Sequence, residues 1–341
     1  MTAAVRAPVI AAAVAALMLG TAQARAGDSA VILAYPRIAA GPAHSTVTQA
    51  QFEAHVKELA GGAYTVMRLG DVVDAMKAGR DLPDRAVVLT FDSGDRAIHR
   101  TIWPKLKSMS LPFTVFVGTD RPGSRANYLG WQELSEMAAA GVEIGIEGPG
   151  GPSLALMPAE RMKAEIARAM QRMRQELGSA PRFFSYPQGE YTRATMAAVA
   201  EAGLEAAFSD QSGVAHRSLG LFALPRFQLS QTYGDMERFA VVANALALPI
   251  RDLTPADTLV GVQNPPVLGF TTDAPVGKLE QLSCFAVGLG RAAIEVLGEV
   301  RAEIRMPGPF PPGRMRVNCT LPGPDGRWRW LGLSFVVPKP Q

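Results

Sequence analysis

The stretch AVVLTFDSG, residues 86–94, constrains the fold more than any other part of the chain. It begins with an apolar run rich in β-branched residues, which is typical of a strand buried on both faces of a parallel sheet. The run ends at Asp92, and Gly94 allows a sharp turn directly afterwards. Because α/β barrels place their chemistry at the carboxyl ends of their strands, Asp92 is the first candidate catalytic residue. The alternative is that Asp92 only caps the following helix.

Strand and helix patterns alternate along most of the chain. Helical spacing of apolar residues separates further predicted strands at residues 31–35, 113–117, 142–146, 183–186 and 204–209. Such alternation is typical of a parallel α/β sheet. We therefore predict a distorted β/α barrel over residues 27–247.

The pattern changes after residue 247. Proline becomes frequent, helical periodicity mostly stops, and short β-like runs are separated by turn signals, so residues 248–341 are predicted to form a small β-rich, sandwich-like domain. Cys284 and Cys319, the two cysteines of the chain, both lie in this part. Their spacing fits neither a redox motif nor a zinc site. In an exported protein the pair predicts a disulfide, and two buried thiols are the alternative.

Residues 1–26 have the features of a signal peptide. A short positive region precedes an apolar run at residues 7–19, which is too short to span a bilayer comfortably, and Ala24-Arg25-Ala26 supplies a cleavage signal. The alternative is an N-terminal anchor helix. We predict an exported protein, periplasmic or secreted, with no transmembrane segment after cleavage.

A net charge of +3 without a basic stripe argues against a nucleic-acid partner.

Six short motifs occur in a characteristic order: ILAYPRI from Ile32, QFE from Gln51, LTFDSG from Leu89, GVEIG from Gly141, FSYPQG from Phe184 and LPR from Leu224. Together they resemble the polysaccharide deacetylases, the family that includes the nodulation-type chitooligosaccharide deacetylases. The resemblance covers roughly residues 30–230. It implies a distorted β/α barrel, and it implies hydrolysis of acetyl groups from amino sugars or O-acetylated sugars in cell-wall and surface glycans.

The resemblance also implies a divalent metal such as zinc, held by one Asp and two His, beside an Asp that acts as base. Asp92 occupies the base position, but Ser93, Glu147 and Gly151 occupy the ligand positions. A serine hydroxyl is a poor donor and glycine offers none, so the metal triad is predicted to be lost and the cofactor is left open. The remaining carboxylates, Asp92, Glu147 and Asp95, suit a hard cation. Without a metal, one facing carboxyl should hold its proton near neutrality.

Further site residues follow from the same resemblance. The usual Arg of the third motif is Ser185, and Arg226 is predicted to orient Asp92 in its place. His216 is the candidate general acid, because it lies in a loop before the last motif. The third motif supplies the predicted substrate-binding residues, Tyr186, Pro187 and Gln188. At Gln188 the backbone N–H would contact the oxyanion whatever its side chain.

Three functions remain open from the sequence. The first is an exported, polysaccharide deacetylase-like protein that acts on or binds acetylated cell-envelope glycan, with Asp92 as base. The second is a catalytically inactive protein that binds an acetylated polysaccharide or oligosaccharide. The third is a structural partner in envelope polysaccharide assembly.

Overall fold

A computed structural model describes residues 27–39, 41–149, 153–273 and 276–339 of the chain. The predicted signal peptide, residues 1–26, and Gly151 lie outside the described residues. Within the described ranges, none of the helices combines the length and hydropathy that a membrane span requires.

The predicted barrel is present as a curved sheet of nine strands in the described residues. Its strands are β1 (Ser29–Tyr35), β2 (Thr65–Val66), β3 (Ala86–Phe91), β4 (Thr114–Val117), β5 (Glu143–Glu147), β6 (Phe183–Ser185), β7 (Ala206–Phe208), β8 (Ala215–His216) and β9 (Phe227–Gln228). Along the order β7-β6-β5-β4-β3-β1, all neighbours pair in parallel. The carboxyl ends of these strands therefore meet at one edge of the sheet.

The segment around β9 brings the two ends of this sheet together. Leu224 forms a parallel bridge with Phe208 at the end of β7, and Phe227 of β9 pairs with Leu33 of β1. Position 226 thus lies between the first and last strands of the parallel run. Its arginine side chain is fully buried in the barrel interior.

Seven α-helices in the described residues accompany the sheet. They are α1 (Gln49–Gly61), α2 (Leu69–Lys77), α3 (Trp103–Ser108), α4 (Trp131–Ala139), α5 (Ala159–Leu177), α6 (Arg193–Glu201) and α7 (Met236–Ala243). Alternate residues of β3 point to opposite faces of the sheet. Val87 and Leu89 join the larger core, which includes the apolar faces of these helices, whereas Val88 joins a smaller core with Phe116. The predicted distorted barrel is therefore confirmed.

Two antiparallel sheets follow the barrel. Their strands are β10 (Leu246–Ala247), β11 (Ile250–Thr254), β12 (Leu268–Thr272), β13 (Ser283–Ala286), β14 (Gly290–Arg291), β15 (Ala293–Leu297), β16 (Arg301–Arg305), β17 (Gly313–Pro322) and β18 (Trp328–Val337). One sheet has the order β10-β18-β17-β13-β14, in which β10 pairs in parallel, and the other has the order β11-β12-β16-β15. They share a separate apolar core, so the β-rich C-terminal part is confirmed.

The predicted disulfide is present in this part of the fold. Cys284 of β13 and Cys319 of β17 are directly opposite residues in the ladder, and their sulfur atoms are bonded.

The predicted division between residues 247 and 248 stays a prediction. One strand before it, β10, already pairs with β18 of the second sheet.

Candidate active site at the carboxyl edge of the barrel

Three carboxylates lie at the carboxyl ends of the parallel strands. Asp92 directly follows β3, Glu147 is the last residue of β5, and Asp210 lies two residues beyond β7. The side chains of Asp92, Asp210 and Glu147 are 12%, 8% and 17% exposed. We call these three residues the acidic edge. Their limited exposure leaves them accessible to a ligand while removing most of the water that would screen their charges.

A tight turn fixes the position of Asp92. Its backbone N–H donates a hydrogen bond of 3.0 Å to the carbonyl of Tyr35, which extends the β1–β3 ladder by one step. Ser93 and Gly94 then take φ values of 68° and 59°, in the left-handed region that serine seldom adopts. The Ser93 hydroxyl donates a hydrogen bond of 2.8 Å to the carbonyl of Pro36. This bond holds the turn and commits the hydroxyl to the backbone.

Arg226 connects two members of the acidic edge. Its Nη1 and Nη2 donate to Oδ1 and Oδ2 of Asp92 at 2.8 and 3.1 Å, and Nη2 also donates to Asp210 at 2.8 Å. The same nitrogen lies 2.9 Å from the Ser185 hydroxyl. A bidentate arginine–carboxylate pair fixes orientation as well as charge. The predicted contact between Arg226 and Asp92 is therefore present, and their catalytic role stays a prediction.

The electrostatics of this buried network follow from its composition. Burial raises the pKa of Asp92; Arg226 opposes this rise, and the charge of Asp210 adds to it. Burial alone would lower the pKa of Arg226, but the charges and hydrogen bonds of the two aspartates raise it above its ordinary value. Arg226 therefore stays charged and supplies the permanent counter-charge inside the barrel.

Glu147 lies in a different electrostatic environment from Asp92. Its Oε2 accepts a hydrogen bond of 2.9 Å from Nη1 of Arg121, which lies in the loop after β4. Burial raises the pKa of Glu147 to about 7; Arg121 opposes the rise, and the charges of Asp92 and Asp210 contribute to it. Near neutrality the acidic edge therefore contains one carboxyl group that readily exchanges its proton.

Asp95, the third carboxylate of the predicted acidic cluster, has other partners. Its Oδ2 accepts a hydrogen bond of 2.9 Å from Arg37, and its Oδ1 accepts one of 2.9 Å from the backbone N–H of Ala97. The latter bond caps the start of the helical segment that leads into α3. The side chain therefore has a structural function in this turn.

The residues at the family's metal positions do not fit a zinc centre. The Ser93 hydroxyl is bonded to the backbone, Glu147 is paired with Arg121, and Gly151 has no side-chain donor. Across the described parts of the chain, no three His, Cys, Asp or Glu side chains converge as a cation site would require. A catalytic zinc takes about three protein ligands. The donor set described here is too poor for one.

The structure does not bring His216 to the acidic edge. It lies in β8, opposite Ser29, at the beginning of β1, whereas Asp92 lies beyond the end of the neighbouring strand. A strand of this length separates the two by about 20 Å. There His216 lies 2.7 Å from Asp28 and 2.8 Å from the Ser218 hydroxyl. The prediction that His216 serves as general acid is corrected, because β8 runs antiparallel to β1 at its amino end.

The three predicted substrate-binding residues have different surroundings. Tyr186 is buried and donates its hydroxyl to the carbonyl of Phe222 at 2.9 Å, and Pro187 is buried beside it. Gln188 is exposed and has a φ of 57°. Gly189 follows with a φ of 68°, and a Cβ there would lie 2.4 Å from the backbone nitrogen of Asp210. Of the three, only Gln188 is available to a ligand, and the other two shape the loop.

Asp210 and Arg121 were missed from the sequence. Asp210 follows a predicted strand in the same way as Asp92, so the rule that identified Asp92 would also have identified it. Arg121 lies in an irregular loop, and no local pattern marks it. Taken together, the parallel barrel and its acidic edge define a β/α-barrel protein with a candidate site at the strand ends.

Comparisons with known proteins match part of the chain to a known domain. Residues 79–207 match the polysaccharide deacetylase family. YxkH of Bacillus subtilis strain 168, named as a polysaccharide deacetylase, is 25% identical over 199 residues, 58% of this chain and 71% of that protein. The poly-beta-1,6-N-acetyl-D-glucosamine N-deacetylase of Staphylococcus aureus strain MSSA476 is 30% identical over 101 residues, 28% of this chain and 34% of that protein.

A solved structure agrees with these sequence relationships. IcaB from Ammonifex degensii superposes with a TM-score of 0.59 at 22% identity, and the match covers 64% of this chain and 98% of that chain. At that identity the likeness supports the fold. The chain therefore contains a polysaccharide deacetylase domain, as the sequence motifs predicted. The nodulation-type subgroup stays a prediction.

Proposed function

We propose that this protein is exported and binds acetylated cell-envelope glycan at the acidic edge, without zinc-dependent hydrolysis. The observation that supports this most is the changed use of the metal positions. Ser93 is bonded to Pro36, Glu147 is paired with Arg121, and Gly151 offers no donor. Without a Lewis acid, neither the acetyl carbonyl nor the attacking water is activated as the family reaction requires.

Four further observations support export and a glycan ligand. The name of one relative identifies poly-β-1,6-N-acetyl-D-glucosamine as that protein's substrate. The disulfide between Cys284 and Cys319 is typical of an oxidising compartment. Residues 1–26 have the pattern of a signal peptide. At the edge itself, the partly exposed Asp92 carboxylate has acceptor capacity beyond its two bonds to Arg226, and it can accept hydrogen bonds from sugar N–H and O–H groups.

The test combines three measurements on the purified protein. We expect mass spectrometry to find less than stoichiometric zinc, calorimetry to detect binding of the N-acetylglucosamine tetramer, and an acetate assay to detect no release. The Asp92→Asn variant should keep measurable binding and still release no acetate. Stoichiometric zinc, lost on chelation together with acetate release, would overturn the proposal.

Metal-independent hydrolysis is a second candidate function, favoured by the pKa of about 7 at Glu147. Asp92 would take a proton from water, and the resulting hydroxide would attack the acetyl carbon. The C–N bond would then break as the Glu147 proton passes to the amine, giving acetate and a free amino sugar. Acetate release that persists in EDTA and is abolished by both Asp92→Asn and Glu147→Gln would support this candidate.

A further inference from the structure

One face of the five-stranded sheet lies against the barrel beside the acidic edge. Successive residues of β17 alternate between two faces, so Met315 and Val317 enter the core of the β-rich part while Arg314 and Arg316 point away from it. The Arg314 guanidinium donates a hydrogen bond to the backbone carbonyl of Gln188, in the exposed loop next to Asp210. The basic face of β17 therefore reaches the loops that carry the acidic edge.

Contacts from β18 confirm this placement. Trp330 packs edge-on against Phe227 of the barrel, with ring centroids 5.2 Å apart. The backbone at Gly332 lies so close to Ser212 that a Cβ there would overlap the Ser212 carbonyl. Ser334 of β18 is the direct cross-strand neighbour of Arg316. The sheet and the barrel thus form a continuous seam, which we define by Tyr233, Arg238, Arg314, Arg316, Trp330 and Ser334.

The seam holds positive charges without anionic partners. Within the described residues, none of Arg238, Arg314 and Arg316 has a carboxylate within ion-pair distance, although each is flanked by the seam's other side chains. Burial lowers the pKa of Arg316, and the like charge of Arg314 lowers it further, whereas Asp210 opposes the fall. A half-buried guanidinium group such as that of Arg316, next to a like charge, is costly to maintain unless an anion joins it.

Polar atoms of the seam are also left without hydrogen bonds. Arg238 Nε, Trp330 Nε1 and Ser334 Oγ are buried and have no partner among the described residues. Buried donors are normally paired, so three unpaired ones along one face of the seam indicate binding of a ligand or ordered water. All three can donate, and together with the guanidinium groups they suit an acceptor-rich molecule.

An exposed aromatic ring completes the seam. Tyr233 is 52% exposed, and the Arg238 guanidinium lies over its ring, 5.2 Å from the centroid. An aromatic ring beside unpaired arginines offers a flat apolar surface next to donors for an oxyanion. A sugar ring that carries an acidic group has this combination of an apolar face and an acceptor.

We propose that the seam is a subsite for an acidic sugar, and that the glycan bound by this protein carries a carboxylate on a residue next to the one at the acidic edge. Arg316 and Arg238 pair with the carboxylate, since the guanidinium fork matches its two oxygens. The ring of that sugar rests on Tyr233. This inference depends on the proposed function, because it specifies the chemistry of the same glycan.

The test compares two acetylated tetrasaccharides by calorimetry on the full protein. One is the neutral N-acetylglucosamine tetramer, and the other is a hyaluronan tetrasaccharide, which alternates N-acetylglucosamine with glucuronate. We expect the acidic probe to bind at least tenfold more tightly at low salt, with a preference that falls as salt rises. Arg316→Gln should abolish the preference, and Arg316→Lys should keep part of it. Arg80→Gln, which removes an exposed arginine elsewhere, should leave the preference unchanged.

The outcomes separate the two proposals. Equal affinity for both probes, or a preference that survives in a folded Arg316→Gln protein, overturns the acidic subsite while the proposed glycan binding stands. Failure of both probes to bind overturns the proposed function together with this inference. If an equal concentration of inorganic phosphate displaces the acidic probe, the seam is a phosphate site. That result overturns the proposal that the seam binds a sugar carboxylate.

Discussion

Replacing Glu147 by glutamine tests whether its carboxyl group holds a proton near neutral pH. The side chain is mostly buried, and its Oε2 accepts a hydrogen bond from Arg121. Glutamine keeps the size and an oxygen acceptor for that bond, but it cannot ionise. The variant therefore removes the titration while it preserves the packing.

The expected magnitude follows from the pKa, which rises from 4.5 to about 7. At about 1.4 kcal/mol per pH unit, a rise of this size corresponds to roughly 3 kcal/mol between the two limits. Because the pKa is higher in the folded state, this stabilisation is complete below pH 4.5. It is lost as the pH rises through about 7. We expect about 2.5 kcal/mol of the loss to fall between pH 5 and pH 8.

Urea denaturation at pH 5 and pH 8 measures this loss. Every α-helix in the described residues lies between Gln49 and Ala243, so ellipticity at 222 nm reports the barrel. The native protein should lose about 2.5 kcal/mol more than Glu147→Gln over this interval. Asp92, whose pKa is also raised, is present in both proteins, so the difference between them reports Glu147 together with its interaction with Asp92.

Glu205→Gln provides the matched control. Hydrogen bonds from Arg182 and Lys77 lower the pKa of Glu205 to about 2, so Glu205 is ionised at both pH values. Its replacement should lower stability equally at pH 5 and pH 8. The assignment of the proton to Glu147 would be refuted if native protein and Glu147→Gln showed the same change between pH 5 and pH 8.

Two further predictions concern stability. Arg226→Met should lower the free energy of unfolding by about 3–5 kcal/mol in the same urea assay, since it leaves Asp92 and Asp210 buried without their counter-charge. Arg226→Lys, which keeps the charge, should lose less, and an equal loss in both variants would contradict this explanation. Reduction of the Cys284–Cys319 disulfide, which joins residues 35 apart, should cost on the order of 4 kcal/mol by the chain-entropy model. Thermal unfolding with and without a reductant measures this, and an unchanged midpoint would contradict it.

Much of the barrel could be predicted because its strands are buried on both faces. An apolar run that ends in a carboxylate, as at Asp92, identifies both the strand and the end at which a site forms. Glu147 was placed by the same motif order, and its pKa is raised; burial is the largest cause, whereas the prediction from the sequence invoked repulsion between carboxylates, which contributes less. Local pattern was sufficient here because strand direction is uniform across a parallel sheet.

Where strand direction is not uniform, a local sequence pattern can predict the wrong end of the barrel for a residue. His216 lies in a two-residue strand that pairs antiparallel with β1, so it lies at the amino end of the barrel. Its position in the sequence before Arg226 suggested the opposite end. The seam was equally inaccessible from the sequence, because Arg238 reaches Trp330 only through packing between the barrel and the five-stranded sheet. Contacts between elements distant in sequence are set by tertiary structure.

The charge balance of the acidic edge connects the altered metal positions with the unusual proton. Three carboxylates lie there, and Arg226 and Arg121 supply two positive charges. The third negative charge has no buried partner of its own among the described residues. Glu147 therefore keeps its proton until the pH approaches 7. A divalent cation at this position would favour the ionised form of all three carboxylates. Under the proposed function, the arginine pairs and one proton would balance the charge that a metal balances elsewhere, but they would supply no Lewis acid.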